Sequence, residues 1–263
     1  MNERNWLIVT GTGKKKILIL NRMDYKSLDH KEWNTILKKY LNLYQFYILD
    51  IPEKLAQENY NFNNSNISYF AEEVVCFIKK KNLKFNAILG ISLGGMICQQ
   101  LLEYNEFKKT PKILVSTNVY ASIKLKAIFS SLYKNLEFFG VNGFRIALES
   151  WVTKISDLPT FQCKEYNHID NSIEKNKLRI SLIAVANHDC RKLVSDNNDT
   201  LYVFFGTESV LLNTDEAEEF AKYIPSDRIL FLDNVSTRII EEKPNLILDK
   251  LINICNGDIY EEI

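Results

Sequence analysis

The chain has 263 residues with 33 basic and 33 acidic side chains, and 46% of it is apolar, so it can bury one substantial core. Balanced and dispersed charge excludes a phosphate-tracking surface, and no window approaches roughly 18 uncharged apolar residues, so neither a nucleic-acid nor a membrane partner is expected. The five cysteines are odd in number and scattered, and the N-terminus lacks the apolar stretch of a secretory leader; both point to buried free thiols, no metal site and a cytoplasmic location.

In chain order, short β-branched and aromatic runs alternate with helical patterns. KILIL is followed by a helix with Trp33, Ile36, Leu37, Tyr40 and Leu41 at helical spacing, then FYILDI, then a helix carrying Phe70, Val74, Phe77 and Ile78. FNAILGIS, a helix from Gly94 onward, and PKILVSTN come next. After an interruption the rhythm resumes with LYVFFGTES, a helix around Asp215 to Tyr223, the strand RILFLD and a last helix through NLILDKLINIC. Such alternation specifies an α/β fold with a mainly parallel sheet covered on both faces.

The interruption divides the chain into a core of residues 1–119 and 196–263 and a helical cap of residues 120–195. The cap is rich in large apolar groups, among them Phe129, Leu132, Phe138, Phe139, Phe144, Trp151 and Phe161. Part of that stripe is core, yet an apolar insert above the strand ends of an open sheet is also where a ligand is covered.

Gly90-Ile91-Ser92-Leu93-Gly94 follows a strand pattern and precedes a helical one. A side chain presented on so tight a strand-to-helix turn needs neighbours without a Cβ, and the serine is forced into a strained backbone with its hydroxyl exposed. GISLGGMICQQLL resembles the nucleophile elbow and following helix of the α/β-hydrolase superfamily. KILILN with the later tryptophan, FYILDI with Asp50, Asp189-Cys190-Arg191 at the end of the insert, and the closing IPSDRILFLDN through EEKP are similar to that family in turn. The likeness implies a mostly parallel eight-stranded sheet flanked by helices, with a helical cap.

The same likeness exposes what is missing. In the family the catalytic acid falls three residues after the glycine that ends the seventh strand; counted from Gly206 this is Ser209, and Glu208, the alternative displaced acid, is one residue early. The catalytic histidine falls seven residues before the proline of the last helix, and counting back from Pro244 reaches Thr237. At the loop where a His-Gly pair usually supports the oxyanion hole stand Asn21 and Arg22. A serine hydroxyl without an oriented base is a poor nucleophile.

Three histidines exist, and His168 and His188, in and at the end of the cap, are the candidates for a replacement base, while His30 reads as a solvated residue entering a helix. The amide of Leu93 survives as an oxyanion donor because it comes with the turn itself, and Arg22 is a candidate cationic donor beside it. The expectation is therefore a cofactor-free protein that holds a small apolar molecule under the cap. It is either a non-hydrolytic or very weakly hydrolytic enzyme on an acyl or carbonyl compound, a receptor-like binding protein, a pseudoenzyme subunit acting through its surface, or a residual esterase or thioesterase.

Overall fold

Strands with apolar residues in succession need cover on both faces, and a computed structural model of the chain, describing residues 6–23, 28–51, 65–160 and 172–257, provides it. Strands β1 (Leu7–Thr10), β2 (Lys15–Leu20), β3 (Tyr44–Leu49), β4 (Ala87–Ile91), β5 (Lys112–Val115), β6 (Leu201–Gly206) and β7 (Ile229–Leu232) form one sheet in the order β1-β3-β2-β4-β5-β6-β7. β1 runs antiparallel to β3, and every other pairing is parallel.

The eight strands implied by the family likeness are thus corrected to seven among the described residues. Six are the runs read above; the seventh, LIVT, is a half-exposed edge strand of four residues, too short to stand out as an apolar run. The eighth came with the likeness alone.

Ten helices flank the sheet or fill the insert among the described residues: α1 (His30–Leu37), α2 (Ile67–Lys80), α3 (Leu93–Gln100), α4 (Asn105–Lys108), α5 (Ile123–Val152), α6 (Ser172–Ala186), α7 (Arg191–Asp196), α8 (Thr214–Ala221), α9 (Ile239–Glu242) and α10 (Pro244–Asn256). Local chemistry starts several of them. Asp29 with Glu32 and Asn213 with Glu216 make reciprocal capping boxes at α1 and α8, and Asn66 and Ser122 cap α2 and α5. Strand side chains alternate between two apolar clusters. Leu18, Leu20 and Ile88 join α2, α3, α5, α6 and α8 on one face, whereas Ile17, Ile19 and Leu89 join α1 and α10 on the other.

The insert lies between β5 and β6, and its two ends are stitched together. Ala121 N donates to His188 O at 2.8 Å and Cys190 N to Val119 O at 2.9 Å. Arg191 grips Asp189 through two hydrogen bonds of 2.9 and 2.6 Å and lies 4.3 Å over the Tyr120 ring. That fork holds the Asp189 carboxyl below its usual range. α5 is broken at Gly140, whose φ of 69° interrupts the helix. The cap aromatics divide: Phe144 is fully buried and Phe129 nearly so, while Phe138 and Phe139 face solvent, and Phe161, like His168 and Cys163, lies outside the described residues. The thiols divide too, since Cys98 and Cys190 are buried but Cys76 is exposed, which corrects the expectation for that residue.

β2 and β4 are the central pair, from which the chain proceeds outward to either side. The crevice at the carboxyl ends of two such strands is where open α/β sheets place ligands. α3 must approach β2 very closely there: a Cβ on Gly94 would sit 1.9 Å from Leu20 O, and one on Gly90 would meet Gly94 O at 2.6 Å. Gly94→Ala is expected to cost about 3 kcal/mol or more, because backbone rather than a flexible side chain would have to yield. Urea unfolding of the variant checks this; an unchanged midpoint would contradict the packing described.

Candidate functional site

The turn between β4 and α3 places Ser92 at φ 52°, ψ −112°, a left-handed conformation that costs a non-glycine residue energy and persists only where its surroundings enforce it. Here they do. Ser92 N donates to Val115 O at 2.8 Å, and Ser92 O accepts from Gly95 N and from Thr117 Oγ1, both at 2.9 Å. Leu93 occupies the first helical position of α3, where a helix offers its own N–H groups no acceptor, so the turn leaves this amide open at the helix end.

Ser92 opens into a cavity of about 60 Å³. Its walls are mostly apolar, drawn from α3 (Met96), the insert (Phe129, Leu132, Leu148, Val152, Val185) and the segment after β6 (Leu211, Leu212); the polar contributors are Ser92, Arg22, Asn118, Thr237 and Arg238. At less than half the ~150 Å³ of an engineered cavity that holds benzene, it admits only a small molecule unless side chains move.

The two positions named for acid and base face each other. Ser209 Oγ and Thr237 Oγ1 share a hydrogen bond of 2.7 Å, and Ser209 Oγ also accepts from Leu212 N at 3.2 Å. Ser209 is buried, and Thr237 lines the cavity with Ser92. The hydroxyl pair spans the loops after β6 and β7. Neither group ionises near neutral pH, so the pair can carry a hydrogen bond but no proton relay.

The other candidates separate. Glu208 turns away from the cavity: its Oε2 accepts from Ser156 N at 2.9 Å and it is not among the lining residues, which removes it as a displaced acid. Asn21 spends its Oδ1 on Arg22 N at 2.9 Å and lines a separate hollow beside Asp50, so it is not a wall of the Ser92 cavity. Arg22 does line the cavity, but its guanidinium is ion-paired with Glu241 of α9.

His188 is buried, and its Nε2 lies 3.2 Å from Asn118 O. A carbonyl only accepts, so Nε2 carries the proton. Burial pushes this imidazole down to about 4, and His188 lines a larger cleft of about 680 Å³ and not the Ser92 cavity. His30 is on α1 beside Asn34. Among the described residues no imidazole lines the Ser92 cavity, and His168 lies outside them. Nor do the described residues hold any group of three or more His, Cys, Asp or Glu suited to a metal ion.

Two polar wall residues escaped the sequence reading. Arg238, whose Nη2 donates to Glu149 Oε1 at 2.8 Å, follows Thr237 directly. Asn118 ends PKILVSTN, and the polar run Ser116-Thr117-Asn118 at the carboxyl end of a central strand was the available signal.

The buried imidazole yields a pH dependence. Folded His188 stays neutral down to about pH 4, whereas an unfolded histidine protonates near 6.5, so between those values the unfolded state binds more protons. Stability is fully present above about pH 6.5 and falls as the pH drops toward 4, by about 2 kcal/mol at pH 4.5. Urea unfolding at pH 7.5 and 4.5 should show this difference shrinking by about that amount in His188→Gln. An unaltered difference would place the charge elsewhere.

No protein-family model and no curated protein sequence matches this chain. Solved structures do. MGS-M2, an α/β-hydrolase enzyme from a Medee basin deep-sea metagenome library, superposes with a TM-score of 0.76 at 12% identity, covering 98% of this chain and 96% of that one. An esterase from Exiguobacterium antarcticum gives 0.71 at 12% identity over 95% of this chain and 94% of its own. Homoserine O-acetyltransferase from Staphylococcus aureus gives 0.68 at 15% identity over 98% and 89%. Across nearly its whole length, this chain has the α/β-hydrolase fold.

Proposed function

We propose that the protein binds a small, largely apolar acyl or carbonyl compound at Ser92 and is at most a very weak hydrolase. The observation that carries this reading is the 2.7 Å bond between Ser209 Oγ and Thr237 Oγ1. Two neutral hydroxyls stand together where the family likeness puts an acid and the imidazole it orients. With no base to remove its proton, the Ser92 hydroxyl acts as a hydrogen-bond donor, and with the Leu93 amide it polarises a carbonyl oxygen. Loss of such a base costs about a million-fold in turnover in subtilisin and leaves roughly a thousand-fold from binding and the oxyanion hole.

The cap, residues 120–195, supplies half of the apolar lining residues, so the ligand is enclosed between insert and sheet. Non-hydrolytic carbonyl chemistry and receptor-like binding both use these parts. Esterase and acyl-transfer activities named for the structural neighbours are properties of those proteins.

Rebuilding the missing pair tests the reading. Ser209→Asp together with Thr237→His places a carboxylate and an imidazole where the hydroxyls now meet, and Leu212 N is already positioned to bond the new carboxylate. p-Nitrophenyl acetate hydrolysis by the double variant should exceed that of the wild type by about 100-fold or more and vanish on adding Ser92→Ala. Each single variant should stay near the wild-type rate. Wild-type turnover at ordinary esterase rates, abolished by Ser92→Ala, would overturn the proposal.

A further inference from the structure

We infer that Asn118 is the polar recognition group of the Ser92 cavity and that the preferred ligand is a small neutral amide with a short branched apolar body. This rests on the reading of that cavity as a ligand site. Asn118 is 1% exposed and stands between the Ser92 cavity and the larger cleft, lining both, yet neither its Nδ2 nor its Oδ1 finds a hydrogen-bond partner among the described residues. A buried carboxamide left so loses the hydration of a donor and an acceptor together and gains no bond in exchange.

The backbone around it is held firmly. Asn118 O accepts from Gln99 Nε2 at 3.0 Å and from His188 Nε2 at 3.2 Å, and the preceding Thr117 bonds Ser92 O at 2.9 Å. Asn118 is therefore fixed beside the serine turn by two contacts to its own carbonyl and one made by Thr117, none of which uses its side-chain atoms. Its donor and acceptor sit side by side on one planar group, and the complementary chemistry is an acceptor beside a donor, which a carboxamide presents. A carboxylate offers Oδ1 no donor, and the two guanidiniums of the wall, Arg22 and Arg238, are already paired with Glu241 and Glu149, so a neutral amide fits better. The neighbouring wall from Phe129, Leu132 and Leu148 accommodates a short branched hydrocarbon.

The isosteric pair isobutyramide and 3-methyl-2-butanone separates this inference from the function on which it rests. Affinities come from amide chemical-shift titrations of the intact protein. The wild type should bind isobutyramide at least tenfold more tightly than the ketone. In Asn118→Leu, and in Asn118→Ala should the leucine not fold, the preference should drop to within twofold while ketone affinity is kept. Equal affinities in the wild type, or a preference that survives in a folded variant, would overturn the role of Asn118 and leave the cavity reading standing. Binding of neither compound would overturn both.

Discussion

The carbonyl of Leu20, at the end of β2, lies so close to α3 that the helix is admitted only because residue 94 has no side chain. From this approach the rest of the site follows. It drives the chain from β4 into α3 through a single sharp turn, holds Ser92 at a positive φ, and leaves the Leu93 amide at an open helix end. These features are made by backbone and glycine, so they persist whatever the surrounding side chains become.

The side-chain half of the site has a different origin. Ser209 and Thr237 are carried by the loops after β6 and β7, which a parallel sheet brings to the same edge as the serine turn. Two hydroxyls satisfy each other at 2.7 Å and leave no buried group short of a partner there. Such a pair is compatible with a stable fold and incompatible with proton transfer near neutrality. The insert contributes apolar walls that keep the space beside Ser92 small.

Much of this was legible in the chain itself, for physical reasons. β2, β4 and β6 announce themselves because buried parallel strands are continuous apolar runs, and the Ser92 turn because its steric demand is local to five residues. The likeness to a known fold then placed Ser209 and Thr237 by counting alone. What stayed hidden depends on partners distant in sequence. Strand β1 is defined by pairing with β3 across more than thirty residues rather than by its own composition. The ion pair of Arg22 with Glu241, the turning of Glu208 toward Ser156, and the unpartnered carboxamide of Asn118 are all set by tertiary packing. No residue pattern within a strand or helix encodes them.

The claim on which the account stands is that no base activates Ser92. Its most direct measurement is the rate of covalent labelling by a fluorophosphonate between pH 5 and 9, followed by intact mass. The account predicts labelling no faster than for an ordinary exposed serine, with no inflection that a histidine would impose near neutrality. Rapid labelling of Ser92 with an inflection near pH 7 would contradict it.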